Sequence, residues 1–475
     1  MPISIQPTPE STSHLIHWRI KAKAGDLCPV AQFGSLRNGS YDVIGIWTRP
    51  GFEVIIPEIG KSIKDISNQP TILLYFGWLA PNQRKDLHSI VKKENIPMLV
   101  VDEALMFFLA RRIDSRLKAM FLCTLPFSAV NPYFPAAGGS VPPEVFKGRN
   151  DALRNLLDFY GPCIVYGGRQ LGKSALLRTA QRMFHNPEKG QYAIYDDIRT
   201  LGDITSGKSY REELETRLYR SLINVHLPLQ STRQTFDLYR LLQEIQKVLI
   251  ERDFKLLLLL DEADNFLDAD AEKNFSVIQQ LKTLMDQSGR RFKVIVAGLH
   301  NVQRFQRISN QPLAHLGTPL EIGPLEADAA LELIREPLYA IGYRFDEDKS
   351  IPLHILSYTN YHPGLIQLFG HALVEHLNQK HQKSVSPPLS VTRSDVEAVY
   401  RKADVREAIR ERFRWTLDLD QRYNAIVLAL IVEQWDDQNG FDRKYSSREL
   451  QQISNDWFNN AFENESEFKG LLDEL

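Results

Sequence analysis

The sequence predicts an α/β protein built on a doubly wound parallel sheet, and three observations carry that expectation. Four apolar residues, 163–166, run straight into Gly167-Gly168-Arg169-Gln170-Leu171-Gly172-Lys173-Ser174, and an apolar-periodic stretch follows. Five consecutive leucines, Leu256 to Leu260, end on Asp261-Glu262, as a short strand buried on both faces of a parallel sheet does. Three more short apolar runs, at 192–195, 292–297 and 319–322, are separated by helical patterns at 211–225, 236–250 and 275–285. Strands that alternate with helices in this way stack as helix–sheet–helix layers.

The first stretch has chemistry attached. G-x-x-x-x-G-K-S between a strand and a helix is the order that a phosphate-binding loop needs. The glycines let the backbone turn tightly, so that N–H groups from Gly167 through Ala175 face one centre and cradle anionic oxygens. The start of the following helix adds partial positive charge at the same point. Lys173 is expected to reach the β- and γ-phosphates of ATP, and the Ser174 hydroxyl to ligate Mg²⁺. Asp261 and Glu262 stand at the carboxyl end of a strand, where open α/β sheets bind ligands. Asp261 is expected in the Mg²⁺ shell, and Glu262 as the general base that polarises the attacking water. Asp-Glu also suits the first turn of any helix. Its position about ninety residues after a phosphate loop selects the metal-and-base reading.

Length and composition set the frame. A chain of 475 residues should hold two to four domains. With 43% hydrophobic and 24% charged residues it reads as an ordinary globular protein. The net charge of −2 gives no general pull toward nucleic acid or acidic membranes. Its three cysteines, Cys28, Cys123 and Cys163, are far apart and have no histidine at ligand spacing, which suggests free thiols in a reducing compartment. The polar stretch 1–13 lacks an apolar signal core, and no apolar run approaches the roughly 18 residues that span a bilayer. The expected location is the cytoplasm.

Ahead of the phosphate loop, residues 1–125 suggest a small α/β domain. Strand patterns at 42–47 and 52–56 flank an Arg49-Pro50-Gly51 turn. A strand at 71–78, a helix at 82–95 opened by Pro81, a strand at 97–101 and a helix at 105–122 complete a small parallel sheet. Asp102-Glu103 closes an apolar strand much as Asp261-Glu262 does, but without a phosphate loop upstream it reads as a helix cap. Glu53, Glu58 and Lys61 are too loosely spaced for a nuclease site, and the domain receives no activity. Residues 126–144, rich in proline and glycine, form a linker or strap.

The phosphate loop and Asp261-Glu262, with Phe146-Lys147-Gly148-Arg149 ahead of them and Ala297-Gly298-Leu299-His300 after, resemble the AAA+-like P-loop ATPases. The nearest groups are the STAND class and its relatives near the origin-recognition ATPases. The resemblance spans residues 145–475. It implies an ATPase core over 145–325, a helical lid over 326–385 and a winged-helix-like domain over 390–475. It further implies a sensor at the end of the fourth core strand, matched by His300 or Asn301. Arg304 and Arg307 lie where such proteins often carry an arginine finger for a neighbouring subunit. Arg149 and the lid residue His362, in Tyr361-His362-Pro363-Gly364, are the matching nucleotide contacts. His362 fits equally well as a buried helix-start residue.

Helical patterns at 326–341, 351–357 and 365–377 supply the lid. After a polar linker at 379–388, Thr392 is a plausible cap, and helices are expected at 406–416, 423–434, 447–457 and 465–475. Two features depart from a DNA-binding winged helix. The sequence stops where a β-hairpin wing would begin, and residues 391–475 carry 18 acidic against 12 basic side chains. The leading expectation is an ATP- and Mg²⁺-dependent switch, with slow hydrolysis, that controls self-association or a protein partner. By resemblance the setting is prokaryotic signalling or antiviral defence. A nucleic-acid-handling motor or loader is the alternative.

Overall fold

The computed structural model describes residues 5–7, 15–21, 28–37, 39–47, 70–93, 97–135, 140–201, 209–229, 237–299, 317–381, 387–418, 420–436, 443–458, 462 and 464–474. The chain divides into two compact units, Met1–Arg149 with Pro324–Val405, and Asn150–Gly323 with Arg406–Leu475.

In the first unit, β1 (Ile5–Pro7), β2 (Leu15–Lys21), β3 (Ser40–Trp47), β4 (Thr71–Phe76) and β5 (Met98–Asp102) form one sheet in that order. The expected parallel half is present: β3, β4 and β5 run parallel, with helix Pro81–Lys93 crossing between the last two. An antiparallel half, β1-β2-β3, adds to it. Its register sets Arg19 opposite Asp42, and the buried Asp42 carboxylate accepts from Arg19 Nε at 3.1 Å. The fully buried Asp102 is a helix cap, accepting from the Leu105 N–H and pairing with Arg84. The stretch expected as one helix at 105–122 is two, Glu103–Arg111 and Arg116–Thr124, broken before Ser115, whose φ of +48° no helix continues through. The predicted strand at 52–56, with Glu53, Glu58 and Lys61, lies outside the described residues.

The proline-rich segment is a strap. Asn131 Nδ2 donates to the His371 carbonyl (3.0 Å), the Tyr133 hydroxyl to the Ile334 carbonyl (2.7 Å) and the Phe134 N–H to Gln367 Oε1 (2.9 Å). The same Asn131 accepts from Gln32 Nε2 at 2.6 Å, and Glu144 takes both the N–H and the hydroxyl of Ser35 at 2.7 Å. The Tyr133 ring lies so close over Gly370 that a Cβ there would stand 2.6 Å from it. The helices it grips, Ala327–Ala340 and Pro363–Lys380, enclose Ser350–Thr359 between them in sequence. Two short strands, Tyr343–Phe345 and Leu389–Val391, pair in parallel, and a Thr392–Asp395 capping box starts helix Arg393–Tyr400. Asp395, 3% exposed, also accepts from Lys380 Nζ through both oxygens at 2.8 Å.

The second unit holds the predicted doubly wound sheet. Its strands are β6 (Ile164–Tyr166), β7 (Gln191–Asp197), β8 (Lys255–Asp261), β9 (Phe292–Gly298) and β10 (Leu320–Glu321), all parallel, in the order β10-β6-β9-β8-β7. Leu256 to Leu260 are each at most 1% exposed, which is why five leucines in a row form a strand and no alternating pattern appears. Helices Lys173–Phe184, Tyr210–Asn224, Leu238–Glu251 and Ser276–Gln287 flank the sheet, and the buried Asp270 caps the last by accepting from the Val277 and Ile278 N–H groups at 3.0 Å. Within β9, the fully buried Lys293 turns its ammonium onto the Leu156 and Asp158 carbonyls (2.9 and 2.6 Å), closing the end of helix Asn150–Leu157. Burial lowers its pKa to about 8.

Helices Ala403–Leu417, Gln421–Asp436, Ser447–Trp457 and Glu465–Glu474 end the chain, and Tyr423, Ile426, Leu450, Phe462 and Phe468 form a small core. No strand accompanies them among the described residues. Among the same residues no helix is long and apolar enough to cross a membrane.

Two predictions follow from this packing. Burial raises the Asp395 carboxyl, but hydrogen bonds from Lys380 and Thr392 outweigh it and bring the pKa down to about 2. A depressed acid stabilises the fold above its unfolded pKa and loses that effect as pH falls through the folded value, about 2 kcal/mol here. Protection factors of the amides in residues 393–400, exchange rates taken relative to the unfolded-chain rate at each pH, should therefore fall as pH drops from about 4 to 2, and Asp395→Asn should remove that step. Gly370→Val should expel the Tyr133 ring and open residues 129–134 to protease, visible as new cleavage in the native protein.

Candidate functional site

The site grows from the end of β6. Ile164 and Val165 are fully buried, and the chain leaves the sheet at Gly167, whose φ is +152°. A Cβ on Gly167 would stand 2.2 Å from the Ile322 carbonyl oxygen, because the Ile322 N–H bonds to the Tyr166 carbonyl and draws β10 against the loop. Only glycine fits that approach. Gln170 (φ +57°) and Gly172 (φ +99°) complete the turn, and helix Lys173–Phe184 begins at once.

Lys173 is 5% exposed, and its ammonium donates to the Gly167 and Gly168 carbonyls at 2.7 and 2.9 Å. Among the described residues it has no carboxylate within ion-pair distance. Burial pulls its pKa down, while Glu262, Asp261 and Asp264 act against that from further away. A desolvated cation at the mouth of a helix N-terminus is a place for an anion.

The acids come from the end of β8 and have different occupations. Asp261 is fully buried; its Oδ1 accepts from the Glu262 N–H at 3.0 Å and its Oδ2 from the Tyr195 hydroxyl at 2.7 Å. Asp264 spends both oxygens on the Leu299 N–H (3.1 and 2.9 Å), which ties the end of β9 to the acidic turn. The Ala263 N–H bonds to the Ala297 carbonyl at 2.9 Å and strengthens that tie. Glu262 has a left-handed backbone, φ +53°, and its carboxylate makes no hydrogen bond or ion pair among the described residues. Burial raises its pKa, with Lys173 opposing. Strain of this kind persists where the surroundings over-determine it, and clusters at functional sites.

The phosphate-loop residues Gly167 to Ala175 follow β6, and Asp261 and Glu262 end β8, so both lie at the carboxyl edge of the sheet on strands separated by β9. Arg149 and His362 belong to the first unit. There burial lowers the Arg149 pKa against the pull of Glu326, and His362 Nδ1 accepts from the Gly364 and Leu365 N–H groups (3.1 and 3.3 Å), capping helix Pro363–Lys380. His300, Asn301, Arg304 and Arg307 lie outside the described residues. Tyr195 and Arg178 were missed by sequence reasoning. The only signal was the place of Tyr195 at the carboxyl end of the strand beside β8.

These residues fit a nucleoside triphosphate with a divalent cation. The glycine cradle, the buried Lys173 charge and the Ser174 hydroxyl suit the phosphates and the cation, and Asp261 keeps lone pairs beyond its two hydrogen bonds. Among the described residues no group of three or more His, Cys, Asp or Glu is placed to hold a metal by itself. Mg²⁺ is commonly held this way, through one or two protein groups and the substrate phosphates.

Residues 160–305 match the family model described as an AAA domain. No curated protein matches the chain significantly. Among solved structures, the ORC2 protein of Aeropyrum pernix, in ADPNP–ADP complexes, is 14% identical over 69% of this chain and 85% of its own, with a TM-score of 0.45. Cdc6p of Pyrobaculum aerophilum is 16% identical over 71% and 89%, at 0.38. The ORC1 protein of Aeropyrum pernix, in complex with DNA, is 15% identical over 71% and 86%, at 0.36. The matched residues 160–305 lie in the second unit, which carries the parallel sheet, the phosphate loop and the acidic turn of a P-loop core.

Gly167→Ala should weaken binding of a fluorescent ATP analogue at least about tenfold, since it forces the loop off the Ile322 carbonyl. Gly323→Ala, with open space around it, should bind as the wild type does.

Proposed function

We propose that this chain is an ATP- and Mg²⁺-dependent molecular switch with slow hydrolysis, controlling self-association or a protein partner. The observation that carries the reading is the division of labour at the phosphate loop. Among the described residues the buried Lys173 has no carboxylate within ion-pair distance, Asp261 is held on both oxygens, and the Glu262 carboxylate makes no hydrogen bond.

Ser174 and Asp261 would hold Mg²⁺, which supplies charge neutralisation at the phosphates when bound. The loop amides and Lys173 bind and orient the triphosphate. Glu262, its carboxylate unbonded, takes the proton from the attacking water. Asn301, Arg304 and Arg307, outside the described residues, and Arg149 and His362, on the other unit, carry no weight in this assignment.

The strap supports the N-terminal domain as output. Hydrogen bonds from Asn131, Tyr133 and Phe134 tie the strap to the lid helices, and bonds from Gln32 and Ser35 to Asn131 and Glu144 tie it to the N-terminal domain, which gives a route from lid to domain. Signalling or antiviral defence in a prokaryote suits such a device. For a motor working on nucleic acid, the arginines of helix Ala403–Leu417 are the available footprint, but the acidic excess of residues 391–475 weighs against it.

Glu262→Gln should bind ATP with wild-type affinity and hydrolyse it at least about 100-fold more slowly. Light scattering of this variant should show a larger assembly with ATP and Mg²⁺ than with ADP. Equal turnover would remove Glu262 from the base role, and one mass in both nucleotides would remove control of self-association.

A further inference from the structure

We propose that Tyr195, backed by Arg178, is the positioning residue that fixes the Asp261 carboxylate for the cation; this rests on the ATPase reading above. The two protein groups expected on the cation come from different elements, Ser174 from the helix after β6 and Asp261 from the end of β8. Something must hold their separation constant, because a hydrated Mg²⁺ demands near-ideal octahedral geometry.

The side chains supply that tie. The Tyr195 hydroxyl, from β7, donates to Asp261 Oδ2 at 2.7 Å while the Glu262 N–H donates to Oδ1 at 3.0 Å. With one bond on each oxygen the carboxylate cannot rotate, and its remaining lone pairs point in fixed directions. Above the tyrosine ring, 4.0 Å from its centre, lies the guanidinium of Arg178. Arg178 Nε is buried and has no hydrogen-bond partner among the described residues; the guanidinium rests on the ring face and is close enough to Asp197 to help lower its pKa. Arg178 sits on the helix that opens with Lys173 and Ser174, about a turn and a half further on. The path from the phosphate-loop helix through Arg178 and Tyr195 to Asp261 is therefore continuous.

The neighbouring acids do not compete for the same work. Asp197 is in register with Asp261 but accepts from Arg199 Nε at 2.9 Å, and Asp196 is paired with Arg217 at 3.2 Å. Tyr195 does not act as a catalytic residue: its hydroxyl is spent on the carboxylate. Removing it leaves the ring under Arg178 and frees Asp261 Oδ2 to swing.

The test uses the full chain and a fluorescent ATP analogue, titrated first in EDTA and then across Mg²⁺ concentrations. Wild type should gain affinity with Mg²⁺. Tyr195→Phe should keep its EDTA affinity within about twofold and need about tenfold more Mg²⁺ for the half-maximal gain, the usual effect of removing a group that orients a metal ligand. Arg178→Met should shift the same midpoint by about threefold. An unchanged midpoint in Tyr195→Phe overturns the proposal. So does a parallel loss of EDTA affinity, which would make the tyrosine a support of the loop fold. If wild type itself shows no Mg²⁺-dependent binding, the ATPase reading fails first, and the two failures are told apart in one experiment.

Discussion

The charge on Lys173 is the constraint that the rest of the core answers. A lysine this deeply buried is costly to keep charged, and two neutral carbonyls compensate only part of that cost. The remainder comes from acids across the sheet ends, and the strand order puts them there. β6 lies between β10 and β9, with β8 next, so the loop after β6 opens toward the turn after β8. Asp261, Glu262 and Asp264 then stand near enough to favour the ammonium without closing an ion pair on it. A direct pair would have neutralised the cation and left it with less to offer a phosphate.

How the acids avoid each other's roles follows from hydrogen bonding. Asp264 is committed to the Leu299 amide, and Asp261 is pinned on both oxygens. Glu262 has a left-handed backbone, and its N–H is bound to the preceding carboxylate. Among the described residues its carboxylate makes no hydrogen bond or ion pair, unlike those of Asp261 and Asp264. Three acids within four residues thus differ in what holds them: two hydrogen bonds on Asp261, the Leu299 amide on Asp264, and no bond on the Glu262 carboxylate among the described residues.

Much of this was legible in the sequence because it is written locally. The phosphate loop is a contiguous motif, five leucines admit only a doubly buried strand, and the Thr392–Asp395 box and the Asp102 cap are short-range signals. What the sequence hid is long-range. Tyr195 is one more residue at a strand end until β7 pairs with β8 and brings its hydroxyl to Asp261. The β1-β2 hairpin sits ahead of the stronger βαβ pattern, and only its pairing with β3 shows that the sheet is mixed. The helix break at Arg112–Ser115 falls inside a periodic run, where a left-handed serine overrides the pattern. Gly167 was readable as a turn residue, but its need to clear the Ile322 carbonyl belongs to the fifth strand, some 150 residues later.

The strap was the hardest to read, since proline- and glycine-rich sequence signals either loose linker or irregular packed chain. Between its short 3-10 turns, residues 128–134 form no strand or helix, and their polar groups find partners elsewhere. Asn131, Tyr133 and Phe134 find them on helices more than 200 residues away, where Gly370 leaves room for a tyrosine ring and Gln367 offers a carbonyl. A flexible linker would let the N-terminal domain and the lid tumble independently. A strap bonded on both sides makes their separation cost several hydrogen bonds at once, one of them fully buried. Residues 28–37 and the helices Ala327–Ala340 and Pro363–Lys380 are therefore joined through the strap by hydrogen bonds on both of its sides.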